Sequence, residues 1–458
     1  MKMISDYQAK KVLVLGLGKS GFSVAKLLVK LGAKVTLNDK KTVNDQDTLA
    51  QLKQLGIKVI TGSHPLELLD ENQIVVKNPG IPYSNELIQA AQAKGLPIIT
   101  EPEVATKVLE ASLIGVTGSN GKTTTTTLIS LMLNAGFPTK KAYVAGNIGI
   151  PLADVASQAT VDDTVVAELS SFQLLGMQTV HPKVAVLTNI YEAHIDYHGS
   201  RQAYVEAKLR LIQNQTSSDY FVVNWDEIEW QELSKKAVSK VVPFSRKNLT
   251  QAGAYQKDGA LYFKDEKIID VTDIKLPGTH NIENALAAIC VAKIFGVKTA
   301  AICEVLATFG GVRHRTQYVT TINERKFYND SKATNMPATQ KALSGFADNV
   351  ILLAGGLDRG FTFENLVPDF KEHVCALVVF GQTAKLFAKA GKQAGIKEIV
   401  EVKDAVAAVK VGYELSKPGD VILLSPACAS WDQWPTFEVR GDKYIEEIQK
   451  LAQEVGGN

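Results

Sequence analysis

The amino-acid sequence predicts an α/β protein with parallel sheets and several cores, and two observations carry that expectation. Short runs rich in Val, Ile and Leu recur along the chain, each followed by a Gly or Asn loop and an amphipathic stretch. That alternation reads as βα units. The length of 458 residues leaves room for about three domains at roughly 150 residues each.

In chain order the runs are KVLVLG at 11–16, QIVVKNPG at 73–80, SLIGVTG at 112–118, TVVAELS at 164–170, VAVLTNI at 184–190, YFVVNW at 220–225, VILLAGG at 350–356, ALVVFG at 376–381 and VILLSPA at 421–427. Most are apolar throughout, as expected of strands covered on both faces. The pattern restarts after GLPIITEPEV at 95–104 and again near ATFGGVRHR at 307–315, where Gly310 and Gly311 permit a turn or hinge. These restarts divide the chain into 1–100, 101–310 and 311–458.

Composition narrows the function. Hydrophobic residues make up 45% and charged residues 21%, the balance of a globular protein. A net charge of +2 provides no global field for nucleic acid or a membrane surface, so any anionic ligand must be held locally. Cys290, Cys303, Cys375 and Cys428 form no CxxC pair; the expectation is buried free thiols in a reducing compartment. No signal-like segment and no apolar run long enough to span a membrane is present, which points to the cytoplasm.

GLGKSG at 16–21 follows a strand and precedes the helical pattern FSVAKLLVKLG, and Asp39 ends the next strand, VTLND. In that context the glycines permit a tight turn and close backbone approach to a pyrophosphate at a helix N-terminus. A dinucleotide and a nucleotide sugar make the same demand.

GVTGSNGKTTTTT at 115–127 departs from the P-loop spacing, because Val116 stands where GxxxxGK[ST] has glycine. The physics is retained: Gly118, Ser119, Asn120, Gly121, Lys122, Thr123 and Thr124 offer backbone amides, a point charge and hydroxyls to ATP phosphates and Mg²⁺. Threonines are poor helix formers, so local stability does not explain the run. A metal site needs a carboxylate on a neighbouring strand, and Glu168 at the end of TVVAE is the candidate.

Together GSNGKTT, ELSSFQL, TNIYEAHIDYHGS, AYVEAKLRL, GTHNIENALAA, HRTQ, YNDSKATN and LLSPACASWDQ resemble the Mur ligases, ATP-dependent enzymes that build the peptide of bacterial cell-wall precursors. ELSSFQL, NDSKATN and SPACASWDQ are most similar to the D-glutamate-adding member. The resemblance implies an N-terminal Rossmann-like domain for the UDP moiety, a central P-loop ATPase-type domain on a parallel or mixed sheet, and a C-terminal Rossmann-like domain for the amino acid. It also implies a ligase that adds D-glutamate to UDP-N-acetylmuramoyl-L-alanine through an acyl phosphate, acting as a monomer.

By the same resemblance Lys19, Ser20, Asp39, Lys40, Lys41 and Gly80 line the UDP site, while Asn147, Ser170, Gln173 and His194 meet the muramoyl part. Two Mg²⁺ ions are implied, one at Thr123 and Glu168, the other at His194 and a carbamylated Lys208. Asn281, Asn284, Arg315 and Asp330 join the loop around ATP. Lys332, Thr334, Arg359, Ser430 and Phe437 hold D-glutamate, and Lys122, Glu168, His194, Lys208 and Lys332 form the catalytic set. Arg359 and Trp431 depart from the family pattern, which has lysine and a smaller apolar residue there.

Without the resemblance, Lys208 reads as a solvated helix lysine, and Asp196 and His198 make the segment around His194 read as merely polar. Rival functions are an NAD-dependent oxidoreductase, argued from GLGKSG and Asp39; a folate polyglutamate ligase, which lacks a domain like 1–100; another Mur ligase with a different amino acid; and a mechanical P-loop ATPase.

Overall fold

The computed structural model describes residues 1–43, 45–347 and 349–456. It contains three sheets. The first comprises β1 (Lys11–Leu15), β2 (Lys34–Asp39), β3 (Lys58–Thr61), β4 (Ile74–Lys77) and β5 (Ile98–Thr100) in the order β3-β2-β1-β4-β5. All neighbours are parallel, and the order reverses beside β1, the topological switch point where such sheets bind ligands.

The second sheet contains β6 (Ser112–Thr117), β7 (Ala142–Gly146), β8 (Thr164–Glu168), β9 (Val184–Leu187), β10 (Tyr220–Asn224), β11 (Lys240–Ser245), β12 (Ala254–Lys257), β13 (Ala260–Phe263) and β14 (Glu266–Asp270). Its order is β14-β13-β12-β11-β10-β9-β6-β8-β7. Only β12, β13 and β14 pair antiparallel. The sharp turn between β12 and β13 is made by Asp258 and Gly259, both at positive φ, the conformation a tight hairpin requires.

The third sheet contains β15 (Gln317–Ile322), β16 (Arg325–Asn329), β17 (Val350–Gly355), β18 (Val374–Phe380), β19 (Glu398–Glu401) and β20 (Val421–Leu424) in the order β15-β16-β20-β17-β18-β19. It is parallel except for the β15–β16 hairpin. All nine apolar runs read from the sequence contribute strands. Central strands such as β17 are buried at every residue, as parallel strands covered by helices on both faces must be.

Packing divides the chain into two compact units, Met1–Asp273 with Ile282–Leu306, and Ile274–Asn281 with Ala307–Asn458. Within the first, one core runs from Val24 and Leu28 on the helix Lys19–Lys30 through Val104 to Leu152 and Ala156. It fastens the first sheet's layer to the second. Two buried carboxylates reinforce that junction: Glu101 accepts from the amide of Ala153 (2.5 Å), and Glu103 from the amides of Gln178 (2.9 Å) and Thr179 (3.1 Å). Burial pushes the Glu101 carboxyl up to about 8. In the second unit, separate cores cover the two faces of the third sheet.

The expectation of buried thiols holds for Cys290 and Cys428 but not for Cys375, which is exposed. It is the outward-facing second residue of β18, where the strand has only begun to enter the core. Among the described residues no helix is long and apolar enough to cross a membrane.

Candidate active site

The loop 118–121 leaves β6 at the carboxyl edge of the second sheet. Pairing sets its neighbours: Val116 lies opposite Glu168 of β8, and Thr117 opposite Leu187 of β9. Strand-end side chains from both sides therefore converge on the loop. Gly118 has φ 150, and a Cβ there would collide with the Thr188 hydroxyl; Gly121, at φ 80, lies against the amide oxygen of Asn284. Only glycine fits either place.

Thr188 and Asn189, which sequence reasoning quoted but gave no role, hold the loop. The Thr188 hydroxyl donates to the Asn120 carbonyl (2.6 Å), and the Asn120 amide donates to the Asn189 side chain (2.8 Å). The Ser119 hydroxyl bonds the Tyr204 phenol (2.9 Å) and takes the amide of Tyr191 (2.8 Å). Gly121 then caps the helix Lys122–Gly136 without a side-chain acceptor. The first-turn amides and the dipole thus face the loop.

Two ammonium groups meet on one carbonyl. Lys122 folds back to donate to Gly118 O (2.9 Å) and Ser119 O (3.0 Å), and Lys208 donates to the same Gly118 O (2.8 Å). Lys208 is 3% exposed, so it is not a solvated helix lysine. Burial, followed by repulsion from Lys122 and opposed by Glu168, holds its ammonium well below the ordinary lysine range. Its Nζ lies 4.5 Å from the ring of Tyr204, one turn earlier on the helix Arg201–Leu209.

Partners place three of the five threonines of the run. The Thr123 hydroxyl donates to Glu168 (2.7 Å), Thr125 reaches Asn284 (3.3 Å), and Thr127 bonds back to the Thr123 carbonyl (2.8 Å). Glu168 is 2% exposed, so its carboxylate is enclosed although it ends a strand. Asn147 donates to its other carboxylate oxygen (2.8 Å), and the Asn147 amide donates to its carbonyl (2.8 Å). Gly146 permits that approach, since a Cβ would collide with Glu168 O.

Ser170 and Gln173 are drawn together as a capping box on the helix Ser171–Leu174. His194 sits in left-handed backbone at φ 55, its ring 4.9 Å from Phe172. Burial lowers its pKa, Asp196 opposes, and Lys122 and Lys208 add to the lowering. His198 stacks on Phe172 at 5.4 Å and meets the Ser171 hydroxyl at 3.0 Å. The segment around His194 is thus an aromatic nest, not merely polar.

The donors at hand are a carboxylate, a hydroxyl, an imidazole and an amine, the last two with their charged forms disfavoured by burial. No group of three or more His, Cys, Asp or Glu suited to a metal occurs among the described residues. In that sparse set the carboxylate and the hydroxyl supply oxygens that fit Mg²⁺, which keeps waters and takes substrate phosphates as ligands. A neutral buried amine is also what carbamylation by CO₂ requires.

In the first loop, Gly16 has φ 95, and a Cβ on Gly21 would collide with Gly16 O. Gly18 caps the helix Lys19–Lys30, again without a side-chain acceptor. Asp39 accepts from the amides of Leu17 (2.7 Å) and Lys41 (2.8 Å). Its carboxylate clamps the loop, so both its oxygens are engaged by backbone amides, which weakens the oxidoreductase reading argued from Asp39. Lys19, Lys40, Lys41 and Gly80 are exposed, and Ser20 is half-buried.

In the second compact unit, Asp330 is buried and accepts from the Thr316 amide (3.0 Å) and the Ser425 hydroxyl (2.8 Å). Burial pushes its carboxyl up to about 7, against those bonds and Arg315. Lys332 lies 5.5 Å from the Phe437 ring. Thr334 is half-buried, and the Ser430 hydroxyl is buried with no hydrogen-bond partner among the described residues. Arg440, which sequence reasoning missed, is 1% exposed and donates to Ser331 Oγ (2.9 Å), Ser331 O (2.8 Å) and Cys428 O (3.1 Å). The two departures from the family pattern meet: Arg359 stacks on Trp431 at 5.1 Å. Asn281 bonds Pro277 O (2.6 Å) within this unit, whereas Asn284 belongs to the first.

Three family models match: "Mur ligase MurD-like, N-terminal domain" over 10–100, "Mur ligase middle domain" over 116–292 and "Mur ligase, glutamate ligase domain" over 314–428. The chain is 66% identical over 455 residues to a UDP-N-acetylmuramoylalanine–D-glutamate ligase of Ligilactobacillus salivarius, covering 99% of each chain. It is 54% identical to a ligase of the same name from Enterococcus hirae, covering 98% of each. A UDP-N-acetylmuramate-alanine ligase of Thermotoga maritima shares the fold, with a TM-score of 0.59 at 20% identity, covering 96% of this chain and 100% of that one. Full-length identity of this order, together with three matched models in sequence, means that the chain belongs to the Mur ligase family.

Proposed function

We propose that the chain is an ATP-dependent ligase that joins D-glutamate to UDP-N-acetylmuramoyl-L-alanine in peptidoglycan precursor synthesis, as the names of its full-length relatives state for them. The observation that carries the reading is the convergence of Lys122 and Lys208 on Gly118 O, beside the buried Thr123–Glu168 pair.

A carboxylate is a poor electrophile. Transfer of the γ-phosphoryl group of ATP to a carboxylate oxygen of the substrate's alanine releases ADP and leaves an acyl phosphate. The neutral amine of D-glutamate attacks its carbonyl carbon, the C–N bond forms, the C–O bond to phosphate breaks, and the nitrogen releases one proton and keeps the other as the amide N–H. Negative charge gathers at one point, where fixed cations in a preorganised site stabilise it. Lys122 donates to phosphate oxygens once it leaves the loop carbonyls, and the loop amides and helix N-terminus hold the rest.

Bound Mg²⁺ supplies further positive charge; Thr123 and Glu168 would hold one ion, and His194 with a carbamylated Lys208 a second. Asn147 fixes Glu168, while Ser170 and Gln173 border the muramoyl group. Asn281, Asn284, Arg315 and Asp330 complete the ATP site; Lys332, Thr334, Arg359, Ser430 and Phe437 receive D-glutamate. Residues 1–100 hold the UDP end through Lys19, Ser20, Asp39, Lys40, Lys41 and Gly80, 101–310 hold ATP, and 311–458 hold the amino acid. The enzyme works as a cytoplasmic monomer.

The test is phosphate release from ATP with UDP-N-acetylmuramoyl-L-alanine and either D-glutamate, L-glutamate, L-lysine or meso-diaminopimelate. Turnover with D-glutamate alone is expected. Turnover with one of the others in its place would assign a different family member.

A further inference from the structure

Lys77, the last residue of β4, is 1% exposed. Its Nζ donates to the carbonyls of Ile81 (2.8 Å), Asn78 (3.3 Å) and Pro79 (3.3 Å) and to the Tyr197 hydroxyl (3.2 Å). The ring of Tyr83 lies 4.8 Å from the same nitrogen. No carboxylate is paired with it among the described residues. A buried cation without a counter-charge is costly, so three carbonyls and a phenol at one nitrogen call for an explanation beyond packing.

The surroundings supply one. Segment 78–81 packs directly on the first glycine loop, with Asn78 against Gly16 and Gly18. With its carbonyls turned in toward Lys77, the segment withdraws negative ends from the neighbouring anion site. Tyr197 comes from the second sheet's layer, and its hydroxyl also lies 3.1 Å from Pro79 O and 3.2 Å from Ile81 O. The backbone amide of Tyr197 donates to the carbonyl of His194 (3.2 Å). One side chain therefore joins the segment bordering the UDP loop to the turn that carries His194.

We propose that Lys77 and Tyr197 form a positioning pair for the UDP-linked substrate, fixing segment 78–81 beside the pyrophosphate loop and setting its distance to His194. The proposal rests on the ligase reading above. Neither residue touches the reacting atoms; both act through the segment and the turn they hold. The ammonium also favours an anion in the adjoining loop. Burial lowers it to about 8, and the titratable groups facing it among the described residues are the phenols of Tyr83 and Tyr197, both raised by burial. Anion affinity in the wild type should therefore fall as pH rises from 7 to 9.

The experiment uses the full-length chain with Lys77→Met and Tyr197→Phe. Binding of UDP-N-acetylmuramoyl-L-alanine is measured calorimetrically without ATP or Mg²⁺, and ATP binding separately. Lys77→Met should weaken UDP-substrate binding about 10-fold or more, the scale of a charged hydrogen bond, and abolish its pH dependence. Tyr197→Phe, which keeps the ring, should weaken it about 3-fold and lower kcat, and the double variant should be no worse than Lys77→Met alone. ATP affinity should stay within about two-fold. Wild-type binding in both variants, or parallel losses of ATP and UDP-substrate affinity, would overturn the pair. A wild-type chain that does not bind UDP-N-acetylmuramoyl-L-alanine would overturn the functional reading instead.

Discussion

The two glycine loops start from the same local plan and end with different electrostatics. Each follows a buried parallel strand, turns on glycine at positive φ, and opens a helix without a side-chain cap. In GLGKSG the nearby acid, Asp39, spends both oxygens on backbone amides, and Lys19 points to solvent. In GSNGKTT two lysines converge on one carbonyl, and the acid, Glu168, is buried against a hydroxyl and an amide. On the function proposed above, the first loop would hold an anion that does not change and the second one whose charge is redistributed.

The strongest way to break this contrast is to neutralise the second loop. Lys122→Met and Glu168→Gln should each lower kcat by about 10³-fold, with UDP-substrate affinity unchanged by calorimetry. Equal loss of UDP-substrate affinity would mean that the loops do not divide the work. Lys208→Ala should lose about 10²-fold or more, and added formate or acetate should restore part of it by placing a carboxylate where the proposed carbamate would stand. An unaffected variant would remove Lys208 from the site.

Gly21→Ala attacks the first loop, because the new Cβ meets backbone at Gly16 O. It should destabilise the chain by about 1–3 kcal/mol, read by thermal denaturation. Asp39→Asn loses one acceptor of the clamp. It should raise KM for the UDP substrate about 10-fold while kcat and KM for ATP stay near wild type.

Asp330 extends the comparison to a third strand-end acid. Its carboxyl, raised to about 7 in the folded chain, lies near 3.9 when unfolded. Between those values the native state keeps a proton that the unfolded chain has lost, so this residue's contribution to stability falls as pH rises from about 4 to 7. Asp330→Asn should flatten that part of the curve of melting temperature against pH.

How far the sequence reaches varies with the residue. The strands before both loops were legible because a parallel strand covered on both faces must be apolar throughout. The β12–β13 hairpin carries a readable signal in Asp258-Gly259, but its mixed strands hide among polar residues. Tyr204 and Lys208 stand four apart on a helix, a spacing that places ring and amine on one face; nothing in it shows that the face is buried. Thr188 and Asn189 end a recognised strand, but their grip on residues 118–120 depends on β9 lying next to β6.

The sequence by itself determined the alternation of strand, glycine loop and helix, and through its motifs the family. These are properties of near neighbours: steric freedom at glycine, periodicity and local composition. Only the tertiary structure decided which charges meet. Lys122 and Lys208 lie 86 positions apart in the chain, yet share a carbonyl because the β6–β9 neighbourhood folds the helix Arg201–Leu209 over the loop. The same burial disfavours the Lys208 ammonium and turns Glu168 from a strand-end acid into an enclosed one. Desolvation depends on everything packed around a group, and that sum exists only once the chain has folded.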